Sequence, residues 1–273
     1  MTSYSVHIRE LAAWGFDDYA YRTESLDHER VRQMAHMVAQ RKRFEQANIV
    51  LPAETERLSE EFAIYAERPD LLVEMSGLSW SLGVVDLRPL IAFQRRLAFH
   101  PEAPQTSIPA ARQWSALLSL SFGPAKPVEC ETIQAPSQKS LTFQSGNPNL
   151  HFRITNDPSS PLSIHAGGPF FEVACFRGRW FLRDGYHRAY ALLSVGIFEV
   201  PAVIVYATTL EELGATQPWF FSEDILFSEN PPRVLDFIDN ELVLAYDRPR
   251  LIRTLRITME ETFTPAIAIG DEL

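Results

Sequence analysis

Residues 170–207 read FFEVACFRGRWFLRDGYHRAYALLSVGIFEVPAVIVYA. Phe170 to Phe176 is a short apolar run rich in strand-favouring residues, Arg177-Gly178 punctuates it, and Arg179 to Arg183 resumes it, which together predict a hairpin. Asp184-Gly185 then breaks the strand. The residues that follow have helical spacing as far as Gly196, which suits the position just past a helix end. Val200 to Ala207, with Pro201 near its start, is a β-branched strand. The order of strand, glycine turn, helix and strand predicts an α/β arrangement.

The chemistry of this stretch lies in its turn. A glycine directly after a strand lets the backbone bend sharply and approach a ligand, since no side chain intervenes. The first amides of the helix that follows have no intrahelical acceptors, and the helix dipole adds partial positive charge, so this end attracts phosphate. Arg188 carries a fork of donors matched to phosphate oxygens, and His187 can donate a hydrogen bond or act as an acid near neutral pH. Tyr186 offers a phenol and a ring but is a poor nucleophile. A plainer alternative is a helix start at which Asp184 caps, Gly185 turns and Arg188 pairs with a nearby carboxylate. Both readings stand on the residues alone.

Asp184-Gly185-Tyr186-His187-Arg188, the following Ala189-Tyr190-Ala191-Leu192-Leu193, Gly196-Ile197 and the Pro201-bearing strand together resemble the ParB/sulfiredoxin-like superfamily. The resemblance covers residues 170–207 well and residues 78–94 weakly, where LSWSLGVVDLRPLIAFQ reads as a strand around Val84–Leu87 and a helix entered at Pro89. It implies an α/β (α+β) fold, with a core over 78–207, an insertion at about 100–165, a helical N-terminal region over 1–77 and a C-terminal extension over 208–273. Sulfiredoxins carry a reactive cysteine between the glycine and the histidine. Tyr186 stands there instead, so thiolate-based sulfinic acid reduction is not expected. ParB proteins bind cytidine triphosphate at a related arginine-bearing turn and add a helix-turn-helix region, of which no basic counterpart is evident.

The free serine kinases of this fold carry a motif similar to Asp184-Gly185-X-His187-Arg188. That resemblance implies Asp184 as a base or metal-associated carboxylate, His187 as a second catalytic group, and Gly185, Tyr186, His187 and Arg188 around the phosphate. It also implies a nucleotide with Mg²⁺ as cofactor. The expected function is binding of a nucleotide or another phosphorylated small molecule, with phosphoryl transfer to a small molecule or a protein as the reaction. The alternative is a non-enzymatic ligand-sensing or protein-interaction module, and a third reading is a ParB-like nuclease. Asp86 and Glu172 are further candidate carboxylates.

Composition narrows the classes. The 273 residues carry a formal net charge of −10, which argues against sequence-independent nucleic-acid binding. No apolar run is long enough to span a bilayer and the first residues lack a secretory pattern, so a cytoplasmic protein with no membrane association is expected. Two cysteines, Cys130 and Cys175, make neither a disulfide framework nor a zinc pattern. His28 and His36 share a helix face without a third ligand, so no metal site is expected from them, and the common dinucleotide, P-loop, zinc-protease and serine-hydrolase motifs are missing.

Elsewhere, residues 26–47 and 53–66 read as helices, the first with Asp27 as its cap and with the basic run Arg41-Lys42-Arg43 on a solvated face. Residues 100–161 read as loops with strands at about 114–122 and 140–143. His165-Ala166-Gly167-Gly168 reads as a turn, with ligand contact as the alternative. Arg177, Arg179 and Arg183 are expected near the start of the motif, where they would make a locally positive pocket.

Overall fold

The computed structural model describes residues 5–22, 28–101, 107–124, 130–135, 140–146, 150–154, 162–166 and 169–263. The chain divides into two compact units, one formed by residues 1–125 and 168–250 and the other by residues 126–167 and 251–273. In chain order the elements begin with β1 (Ser5–Leu11), α1 (His28–Ala39), α2 (Pro52–Arg57), α3 (Ser59–Ala66) and α4 (Pro69–Glu74). There follow β2 (Trp80–Asp86), β3 (Ile91–Ala92), β4 (Arg96–Phe99), α5 (Trp114–Ser121), β5 (Glu131–Ala135), β6 (Ser140–Ser145), β7 (Leu150–Ile154) and β8 (Leu162–Ala166). The last group is β9 (Glu172–Phe176), β10 (Arg179–Asp184), α6 (Tyr186–Ser194), β11 (Glu199–Tyr206), α7 (Leu210–Leu213), α8 (Glu223–Leu226), β12 (Val243–Pro249) and β13 (Arg253–Thr258). The fold is a mixture of helices and sheets.

The first unit is organised by a five-stranded mixed sheet of order β2-β11-β9-β10-β3. β9 and β10 form the expected hairpin, with Arg177 and Gly178 both at positive φ in its turn. β11 lies parallel to β9 and antiparallel to β2, and β10 lies parallel to β3. α6 packs through Ala189, Leu192 and Leu193, and α5 through Trp114, Leu117, Leu118 and Ser121, the i, i+3, i+4 spacing of a helix with one buried face. Thr209 caps α7 by accepting from the Glu212 amide.

The sheet cannot be flat. Its edge strands β2 and β3 are joined by residues 87–90, and Leu90 N–H donates back to the Leu87 carbonyl, so the connection is itself a turn. Five strands spaced ~4.8 Å apart would separate the two edges by roughly 19 Å. The five residue steps from Asp86 to Ile91 reach at most roughly 18 Å even when fully extended, and the turn at residues 87–90 shortens that reach. The sheet must therefore curl until its two edges approach each other, as in a partly closed barrel. Each edge is then covered by an irregular segment. Val50 bridges Val85 on β2, Arg233 bridges Ile91 on β3, and the Phe44 amide donates to the Glu229 carbonyl at 2.8 Å, joining the two coverings.

A second sheet in the same unit has the order β12-β1-β4, all antiparallel. Its buried Val6 and Ile8 pack with Met34 and Val38 of α1. Glu10 is 1% exposed in this sheet, bonded by Arg22 and by the Tyr246 hydroxyl at 2.7 Å, while Arg22 also bonds Asp17 at 2.6 Å. The other unit holds an antiparallel sheet β13-β6-β5 and the hairpin β7-β8.

Several local expectations change. Residues 114–121 form helix α5 in place of the strand expected over about 114–122, since the run WSALLSLS is apolar enough for either and its buried positions follow the helical period. No helix follows Pro89; the chain turns into β3 and β4, where pairing with β10 and β1 outweighs the helix-start preference of proline. Among its described residues the N-terminal region holds four α-helices, but it also contains β1, which pairs with β12, more than 230 residues away in sequence. Helix α1 stops at Ala39, so Arg41-Lys42-Arg43 lies in a loop and not on a helix face. Asp27, expected as a cap, and Gly167 and Gly168 lie outside the described residues.

Candidate functional site

β10 delivers Asp184 to its end, and Gly185 takes φ +95°, ψ 20°, a left-handed conformation open to glycine at little cost. A β-carbon there would lie 2.8 Å from Phe171 Cδ2, so the turn is closed to side chains by packing as well as by φ. α6 begins at the next residue, with no side chain capping its first turn. The Asp184 carboxylate folds back to accept from the Gly185 amide at 2.5 Å. The motif thus forms the strand, glycine turn and helix start that its residues predict.

The side chains of the motif divide into two groups. Tyr186 is buried, and its hydroxyl accepts from the Phe93 and Gln94 amides at 3.0 and 3.3 Å, pinning the chain that leaves β3 onto α6. Burial pushes its phenol above the ordinary value. The Arg188 guanidinium donates to the carbonyls of Leu120, Pro169 and Phe170 at 3.0, 2.6 and 2.6 Å, and lies over the Phe171 ring. Its burial disfavours the charge, against the pull of Asp184 and Glu172. Both residues join segments distant in sequence. His187 is exposed on the first turn, with Nε2 3.0 Å from the Ala98 carbonyl and its ring edge-on to Phe99 at 5.4 Å. Only Nε2–H can serve that carbonyl, which selects one tautomer of the neutral ring.

Beside the turn lies a pair of carboxylates. Glu172 opposes Asp184 across the β9–β10 ladder, is 2% exposed, and forms an ion pair with Arg183. Burial raises Glu172 to about 7, against the lowering effect of Arg183. Burial also raises Asp184, opposed by Arg188 and by the Gly185 amide, and the Glu74 carboxylate adds to the rise at both. Two acids with elevated proton affinity beside an uncapped helix start form the one concentration of perturbed carboxylates among the described residues. Glu74 and Phe171 gave no signal in the sequence because only the tertiary fold brings them to the motif.

The other candidates scatter. Arg177 pairs with Glu223, Arg179 donates to the Leu226 and Ser228 carbonyls, and only Arg183 reaches the turn. The expected positive pocket of three arginines is therefore not assembled there. Asp86 pairs with Arg88 at 2.6 Å, away from Asp184, and lines a different cleft. His36 contacts Gln40, and no group of three metal-capable side chains occurs among the described residues. Cys130 and Cys175 are free thiols. No described helix is long and apolar enough to cross a membrane.

Around this site the structure offers backbone amides as donors for an anion, to which His187 adds Nδ1–H only when its ring is doubly protonated, and two carboxyl groups that hold a proton more tightly than usual, Glu172 raised to about 7 and Asp184 raised from its ordinary value. Compared with family models, with curated proteins and with solved structures, the chain has no significant match.

Proposed function

We propose that this chain is a ParB/sulfiredoxin-like protein that binds a phosphate-bearing small molecule, a nucleotide foremost, at the start of α6. The observation that carries the reading is the Gly185 turn, left-handed and packed against Phe171, which leaves the first turn of α6 without a side-chain cap. The curled mixed sheet and the strand, turn, helix and strand order support the family reading. In this reading the phosphate is held by main-chain amides and by Nδ1–H of His187 as an imidazolium, its Nε2–H staying on the Ala98 carbonyl, while Tyr186 and Arg188 keep the turn rigid. Asp184, with its raised proton affinity, is the group to take a proton from an acceptor hydroxyl if phosphoryl transfer follows, and Mg²⁺ would accompany the nucleotide.

The test is calorimetric titration with nucleoside di- and triphosphates, with and without Mg²⁺. Binding is expected, with an affinity about tenfold weaker in His187→Ala. Asp184→Asn is expected to retain binding and to abolish any nucleotide turnover. Absence of nucleotide binding by the folded protein would overturn the reading.

A second reading is favoured by one specific observation. Arg188 serves three carbonyls and Tyr186 two amides, so much of the motif is already occupied in holding the fold together. On that reading the chain is a non-enzymatic ligand-sensing or interaction module whose turn is architectural. Nucleotide turnover lost in Asp184→Asn would exclude it.

A further inference from the structure

The run Arg41-Lys42-Arg43 lines a cleft of about 590 Å³, a size suited to a small organic ligand. The cleft lies where the two edges of the curled sheet approach each other. Its walls are the loop after α1, the turn between β2 and β3, and the segment that covers β3. Arg41, Lys42, Arg43, Arg88 and Arg233 line it, a fifth of the 25 basic side chains in a chain of net charge −10. Glu45 and Asp86 are the acids in the lining.

These cations are arranged in two tiers. The deeper tier is fixed: Asp236, 2% exposed, accepts from both terminal nitrogens of Arg41 at 3.0 Å and from Arg233 at 3.2 Å. One buried carboxylate thus orients two guanidinium groups, and this pair keeps a net positive charge. The walls that carry them are tied to the sheet, since the Ala92 amide donates to the Pro232 carbonyl and the Val234 amide to the Leu90 carbonyl, each at 2.9 Å. The outer tier is loose. Lys42 and Arg43 are 88% and 74% exposed, and their acids Glu45 and Glu229 stand 3.8 Å away, beyond hydrogen-bond distance. Such long, exposed pairs are weak and easily exchanged for a better anion. Arg88 is the firmest of the outer cations, bonded to Asp86 and lying over the Phe198 ring at 4.8 Å.

We infer that this seam cleft is a binding site for a small molecule rich in anionic oxygen, a phosphate ester or a polycarboxylate. Fixed guanidinium forks recognise either group, and the loose outer cations close on it. None of residues 184–188 lines the cleft, and its wall meets β10 at Arg179, whose guanidinium lies over Phe44 at 5.7 Å. The inference therefore does not rest on ligand binding at α6.

Pyrophosphate and citrate, titrated separately into the intact protein at low ionic strength and followed by calorimetry, distinguish the two chemistries. At least one is expected to bind, more weakly as salt is raised. The double variant Arg43→Glu/Arg88→Gln changes exposed side chains and spares Asp236. It is expected to weaken binding by about tenfold or more, whereas His187→Ala leaves it intact. Failure of both anions to bind, wild-type affinity in the double variant, or loss of binding in His187→Ala with retention in the double variant would each overturn the inference.

Discussion

At the α6 turn, Arg188 gives its hydrogen bonds to three carbonyls and Glu172 lies sealed beside Arg183. In the seam cleft, Arg43 and Lys42 stand in solvent, 3.8 Å from acids they scarcely hold. Both regions are made of arginine, aspartate and glutamate, so residue type does not separate them. Solvent access does. Where water is excluded, a charge must find fixed partners, and those partners become part of the fold. Where water remains, the same side chains cost little to move and stay free to meet a ligand. The motif that stands out in the sequence is thus partly absorbed into the structure, while Lys42 and Arg43 of an unremarkable basic run are left available.

The largest test of this contrast is Arg188→Ala. It would leave three carbonyls without their charged donor, and a loss of about 4 kcal/mol is expected in urea unfolding. A loss below about 1 kcal/mol would mean that the guanidinium is held less firmly than its three bonds indicate.

Acidity gives a second, smaller test. Glu172 is raised from 4.5 to about 7 in the fold, so the folded chain binds this proton more tightly than the unfolded chain does. Its contribution to stability is fully present below about 4.5, declines through the window and is gone above about 7. Between pH 7.5 and pH 5 the wild type is expected to gain on the order of 2–3 kcal/mol relative to Glu172→Gln. Parallel pH profiles for the two proteins would show that Arg183 keeps Glu172 ionised throughout.

The smallest effect sharpens the comparison from the other side. Arg43→Glu is expected to change unfolding free energy by less than about 0.5 kcal/mol, since its ion pair is exposed and long. A substantial loss would place Arg43 in the framework rather than among the mobile side chains of the cleft.

The hairpin, α6 and β11 could be read from the residues because their signals are local: a strand period, a glycine at positive φ and a β-branched run. β1 could not. Its inward positions alternate Val6, Ile8, Glu10, and a charge at the third place breaks the apolar pattern until Arg22 and Tyr246 are seen to surround it. α5 was ambiguous because eight apolar and small residues satisfy a strand and a helix alike. At the candidate site the backbone turn was legible in Asp184-Gly185, but the use of Arg188 was not. A guanidinium that serves carbonyls looks the same in sequence as one that serves phosphate. Arg88 and Arg233 carried no motif, and only the curling of the sheet brings them to Arg41.

β1 lies between β4 and β12, and Tyr246 reaches Glu10 across 236 residues of chain. During synthesis β1 must therefore wait for more than 230 further residues to leave the ribosome before its second neighbour exists. Arg22 can reach Glu10 early, but one edge of β1 stays unpaired for that interval, which makes the closing of β12 onto it a late event in folding.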